Sequence, residues 1–279
     1  MLAKQYRSSF AYKNGITNAF LCSFYRVATL GSGSGVAAII YLGEHGIEYG
    51  GGFGLYMIQY ALHKISIALF SAIFFVMNWE FMRNWFGDYA GLLAAGYALT
   101  LVITLGLFLF CCSNRFHHLI CRLLDFANQK FHGKFEIMAE EIKRQCMMLE
   151  DASNHLMKNK KVTTEVIFLC LLKCCFWYGI PYLLFKGVQF QGNPALSLSQ
   201  VLAITSLSVM LAAVIPSPAG IGSTEFVFTT LFAGIVGTGI AGSASLLYRF
   251  GTFVFPFLVG AVVVLVRHFK RKKLSSGSI

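Results

Sequence analysis

"AAVIPSPAGIGSTEFVF" occupies residues 212–228, inside a stretch apolar enough to belong in lipid, yet it carries two prolines, two glycines and a carboxylate. Pro216 and Pro218 remove backbone donors and clash with a continuing helix, while Gly220 and Gly222 admit positive φ. The chain is therefore expected to turn between residues 215 and 223, and a new helix to start with Ser223 as its N-cap. Non-helical backbone at membrane depth is tolerated only where protein or a water-filled cavity surrounds it, so this break has to line something.

The rest of the sequence supplies the membrane. Of 279 residues 56% are apolar, 27 are Phe and only 13% are charged, too few for the polar skin of a soluble domain. Residues 53–77, 88–112, 162–187 and 244–266 are each long enough to cross a hydrocarbon core of roughly 30 Å. Two further apolar regions, 17–43 and 197–240, are interrupted at glycine. The formal charge of +11 is read as orientation rather than nucleic-acid binding. The eight cysteines show no metal-type pairing, and no metal or cofactor is expected.

Lys and Arg sort unevenly. Three precede residue 17, nine lie in 113–161 and five follow residue 266, against Arg83 alone in 78–87 and Lys186 alone in 186–196. If the rich segments are all cytoplasmic, 17–43 must return to the face it came from. Its limbs on either side of the Gly31, Gly33 and Gly35 run are roughly 21 Å and 12 Å of helix, neither a full crossing. By the same parity 197–240 begins and ends outside, as a second re-entrant hairpin or as two short spans. The expected fold is thus an all-α polytopic membrane protein, a single domain over 1–279, with about four full spans and two broken elements entering from opposite faces as an inverted repeat. Such elements meet near the midplane in transporters. The 113–161 connection reads as cytoplasmic amphipathic helix with His117 and His118 solvated or interfacial, and 267–279 as a basic cytoplasmic tail.

Glu225 is the only charged residue between Lys186 and Arg249. It falls in the first turn of the new helix, where the macrodipole favours a negative charge, and an intramembrane carboxylate normally has a paired partner. Arg26, Lys64, Lys173 and Arg249 are the basic residues in or near apolar segments, and Arg249 is the first choice. Excess positive charge suits an anionic ligand such as a phosphate, and Phe-rich walls suit the rest of a phospholipid.

With these residues in view, the chain resembles the transmembrane region of the lysylphosphatidylglycerol synthetase/flippase family, the multiple peptide resistance factor. Pro216, Pro218, Gly220, Gly222 and Glu225 look like the family's P-x-P-x-G-x-G-x-x-E element. "LLYRFGTFVFPFLVG" (246–260) resembles its closing helix through Arg249, Pro256 and Gly260, and "ATLGSGSGVAAIIYLGEHGI" (28–47) its first re-entrant element through Thr29, Gly35, Gly46 and Ile47. Leu30 stands where a proline is usual, and Val36, Ala37 and Ala38 where a polar or basic residue often sits. Relatives usually carry further membrane segments before this point, so the chain reads as N-terminally shortened.

The resemblance implies flippase-like movement of aminoacylated phosphatidylglycerol, or a related polar lipid, to the outer leaflet of the plasma membrane, which weakens the attraction of cationic antimicrobial peptides. The expected substrate-binding residues are Glu225, Arg249, Arg26 and Lys173. Lysyltransferase activity, implied by the family name, is not expected of this chain, whose longest non-membrane segment is small for a catalytic domain. The residues leave open a membrane subunit handling a polyprenyl-linked sugar, a partner synthase or glycosyltransferase, and homo-oligomerisation. No P-loop for ATP is present.

Overall fold

The computed structural model describes residues 1–87, 89–130, 136–187 and 196–276. The described residues form thirteen α-helices. In order they are α1 (Ala3–Tyr6), α2 (Tyr12–Ala28), α3 (Gly33–Glu44), α4 (Tyr49–Met77), α5 (Trp79–Phe86), α6 (Tyr89–Cys112), α7 (Asn114–Lys130), α8 (Glu136–Met157), α9 (Lys160–Gly187), α10 (Leu198–Ala212), α11 (Ser223–Val236), α12 (Thr238–Arg249) and α13 (Phe255–Ser276). A 3₁₀ turn, Pro218–Gly220, precedes α11, and a π turn, Phe250–Val254, joins α12 to α13.

The first broken element is the α2–α3 pair. Its two ends lie together, because Arg7, ahead of α2, donates from Nη1 to the carbonyl of His45, after α3, at 2.6 Å. The chain therefore goes in and comes back on one face. Together the limbs run from Tyr12 to Glu44, longer than the expected 17–43 element. The break also sits earlier than the glycine run: it is Thr29–Ser32, with Leu30 and Gly31 at φ 54° and 112°. Only Gly31 of the three glycines assigned to the break is in it. Gly33 and Gly35 lie inside α3, where their missing side chains allow close approach: a Cβ on Gly33 would meet the Thr29 side chain at 2.7 Å, and one on Gly35 the Tyr56 ring at 3.0 Å.

The second broken element, α10–α11, comes from the opposite face. Helix α4 carries the chain across, and at its far end the Asn78 amide donates to Ser199 Oγ at 2.8 Å, at the start of α10. Ser197 caps that start, its hydroxyl accepting from the Gln200 amide while the Gln200 side chain accepts from the Ser197 amide. After the break, α11 returns beside α10 and brings Phe232 to within 5.0 Å, ring to ring, of Phe185 near the end of α9. The element thus begins and ends on one face, as both arrangements left open by the sequence require; its first limb, Leu198–Ala212, is short, while Pro218–Val236 is long and apolar enough to cross.

Each hairpin is followed by a long helix, and packing is reciprocal: α2 lies along α13, and α10 along α4. Gly260 makes the first contact close, since a Cβ there would sit 2.3 Å from the Phe20 carbonyl oxygen, and Phe24 and Phe257 stack beside it at 5.5 Å. Towards the C-terminus of α13, Arg267 pairs with Glu44, so that end of the helix shares a face with the ends of α2–α3.

All four expected spans are present as α4, α6, α9 and α13. The last is continuous with α12 through the π turn, so that Thr238–Lys270 is one apolar rod rather than the expected 244–266. Pro256 accounts for the π turn: it lacks an N–H and its ring clashes with the preceding turn, and a wider turn relieves both. The core gathers on α10 and α11, with Val201, Ile204, Leu207, Phe228 and Phe232 fully buried. By contrast α6 presents Leu92, Leu99, Val102 and Ile103 outward, as a lipid-facing helix does.

The connection between α6 and α9 is more than a surface layer. Leu149, Ala152 and Leu156 of α8 are buried, and a Cβ on Gly54 of α4 would come within 2.2 Å of Ala152 Cβ. His117 is buried against the Phe110 carbonyl, contrary to the solvated or interfacial placement expected of it, whereas His118 is exposed 3.9 Å from Glu150. Residues 131–135 and 188–195, within the expected 113–161 and 186–196 connections, and 277–279 of the tail lie outside the described residues.

Candidate functional site

The second break is held by its own side chains. Pro218 opens the 3₁₀ turn, Ala219 takes φ 54°, and Gly220 and Gly222 take 75° and 86°. The Gly220 carbonyl, freed from helical bonding, accepts from Thr224 Oγ1 at 3.2 Å and from Arg249 Nη2 at 3.1 Å. Ser217 and Ser223 hydroxyls meet at 2.6 Å across the turn. These bonds answer the requirement that buried backbone be satisfied from within.

Helix α11 is capped at Gly222, not at Ser223, which is its first helical residue. The donor left over at Gly222 is met by Glu225, whose Oε2 accepts from it at 2.9 Å. The other carboxylate oxygen, Oε1, accepts from Arg249 Nε at 2.7 Å. Arg249 also lies 4.2 Å from the Phe253 ring centroid, a cation–π contact in the π turn. One guanidinium thus ties together a carbonyl of the break, the first turn of α11 and the junction of α12 with α13. With side-chain exposures of 12% for Arg249 and 26% for Glu225, the pair is shielded yet reachable.

The two breaks touch. A Cβ on Gly31 would stand 3.6 Å from the Ala219 amide nitrogen. They also share a conformation: Leu30–Gly31 and Ala219–Gly220 are each a non-glycine residue followed by a glycine, both at positive φ. A proline could not take the place of Leu30 at φ 54°, because its ring fixes φ near −65°. Beside the contact, Leu30, Val214, Ile215 and Ile221 expose apolar surface. The arrangement offers a shielded ion pair on a turn whose carbonyl and hydroxyl groups are already hydrogen-bonded, beside an apolar rim, which is chemistry suited to an amphiphile.

Arg26 and Lys173, grouped with Glu225 and Arg249 from sequence, stand in a different company. The charges of Arg26, Lys64 and Lys173 all act on His63. Arg26 also acts on Lys64 and Lys173. Lys173 lies 4.3 Å from the Trp177 ring centroid, and Lys64 5.5 Å from that of Tyr60. None of the ion pairs among the described residues involves these four. Lys64 is legible in sequence as a cation in an apolar run, and His63 beside it carries the same signal, which periodicity reading passes over.

A family model described as "Lysylphosphatidylglycerol synthase TM region" matches residues 1–260. Comparison with curated proteins and with solved structures finds no match. The match runs through both re-entrant elements, the Glu225–Arg249 pair and the long closing helix as far as Gly260. By that coverage, the chain belongs to the lysylphosphatidylglycerol synthase transmembrane-region family.

Proposed function

We propose that the chain is a flippase-like carrier that passes a polar lipid head group between leaflets where its two broken elements meet. The observation that carries this reading is the contact of Gly31 with Ala219, made by hairpins entering from opposite faces, beside the Glu225–Arg249 pair. Paired discontinuous helices of this kind put a binding site within reach of either side when one half rocks on the other. The head group of the proposal is aminoacylated phosphatidylglycerol or a related polar lipid, moved outward from a cytoplasmic face that holds both termini. Its arrival in the outer leaflet would reduce negative surface charge and resistance to cationic peptides would follow.

The test is outer-leaflet lysylphosphatidylglycerol, labelled with an impermeant amine reagent in cells that make the lipid internally. Labelling is expected to rise with the chain and to fall back with Glu225→Gln at equal protein level. No rise with the wild-type chain overturns the proposal.

A further inference from the structure

Lys64 lies near the middle of α4 and Lys173 near the middle of α9. The two helices pack side by side and run in the same direction, with the rings of Phe70 and Tyr178 5.6 Å apart one to two turns further on. Arg26 is in the last turn of α2, and its carbonyl accepts from the Gly31 amide at 2.7 Å, so it stands one turn from the place where the breaks meet. Three cationic side chains and an imidazole thus gather at mid-membrane depth, on three helices. Cations at that depth are normally paired. The one carboxylate of the break, Glu225, is already held by Arg249 and Gly222.

We propose that Arg26, His63, Lys64 and Lys173 form a binding site for the phosphate of an anionic lipid head group, distinct from the Glu225–Arg249 pair. The guanidinium offers a planar fork of donors, the two ammonium groups three each, and the imidazole an N–H in either tautomer. Bringing these like charges together is unfavourable, and a phosphate among them turns repulsion into attraction. Arg26 and Lys173 are exposed and Lys64 is half-buried, so the group is open on one side. That side continues into exposed Leu169, Leu172 and Phe176 on α9, apolar surface along which acyl chains can lie. A free phosphate ion has no use for such surface, which favours the lipid as the source.

The site has a consequence for specificity. Lysylation adds ammonium groups to a phosphatidylglycerol head group, and these would meet four basic side chains with no free carboxylate among them. The cluster therefore selects unmodified, anionic lipid over its aminoacylated form. The inference goes beyond translocation, since a lipid can bind here whether or not it crosses.

The experiment measures binding to the full chain purified in detergent, by native mass spectrometry, with phosphatidylglycerol, lysylphosphatidylglycerol and inorganic phosphate as probes. The binding that is lost in Lys173→Gln is expected to be at least about tenfold tighter for phosphatidylglycerol than for either of the others. Lys64→Gln and Lys173→Gln should each weaken it by about tenfold, the loss of one charge-assisted hydrogen bond, and Lys173→Arg should restore most of it. The exposed Lys173 keeps the test open if the Lys64 variant fails to fold. Lysylated-lipid binding that depends on Lys173 as strongly as phosphatidylglycerol binding does, unchanged phosphatidylglycerol affinity in a monodisperse Lys173→Gln, or displacement of the lipid by equimolar phosphate would overturn the assignment. Charge-dependent binding without any outer-leaflet labelling would leave this site standing and remove the translocation reading, while labelling without such binding would do the reverse.

Discussion

Glu225 is made useful by having two oxygens with different partners. One closes the N-terminus of α11 on the Gly222 amide, and the other holds Arg249, which in turn holds the Gly220 carbonyl. Removing either member of the pair leaves a shielded charge unpaired and loosens the turn as well. A double-mutant cycle of Glu225→Gln and Arg249→Gln is expected to give a coupling of about 1–3 kcal/mol in the unfolding of the purified protein. Additive effects would mean that the pair does not hold the break. Arg249→Lys is expected to fall between, because an ammonium on a flexible stem reproduces the ion pair but not the fork that also reaches Gly220. The pairing was legible in sequence from isolation alone: one carboxylate in a long apolar stretch, with Arg249 next along the chain. The third partner, Gly222, was not, since a serine at position 223 looked the better cap.

At the scale of elements, glycine separates into two uses that one sequence pattern conceals. Gly31, Gly220 and Gly222 hold positive φ and break helices. Gly33 and Gly35 sit in helix, and Gly260 in α13, where what they provide is closeness. Gly260→Leu is therefore expected to push α2 away from α13 and cost about 1–3 kcal/mol. The loss should be read as lower melting temperature or monodisperse yield. Gly239→Ala in α12, where a Cβ meets nothing within 4 Å, is the matched control and is expected to change little. Similar values for the two variants would deny the close contact its importance. In sequence the GSGSG run reads as one break, because dihedral preference and packing space leave the same letter. Likewise α8 announced its amphipathic face, but only the fold shows that this face is covered by α4, with Gly54 admitting Ala152.

For the whole molecule, the ends of the first hairpin, the C-terminal end of α13 and the start of α1 share one face, through Arg7 with His45, Arg267 with Glu44, and His155 with the Gln5 carbonyl. Helix α5 and the start of α10 are on the other, joined to α4 at Asn78. If the basic face is cytoplasmic, a cysteine at position 83 in a background without native cysteines should react with an impermeant maleimide added outside, and one at position 143 should not. The reverse pattern would invert the protein in its membrane while leaving its fold untouched. The sequence by itself determined that the chain is a bundle of membrane helices, that at least four segments are long enough to cross, and that two apolar elements are broken at glycine, because apolar length and helix breakers are properties of local chain. It also determined that Glu225 needs a partner. Only the tertiary structure decided that the two breaks touch at Gly31 and Ala219, that Glu225 and Arg249 form one group, and that Arg26 and Lys173 belong to another with His63 and Lys64. These are contacts between helices distant along the chain, and neither periodicity nor charge count carries the angle and depth at which such helices pack.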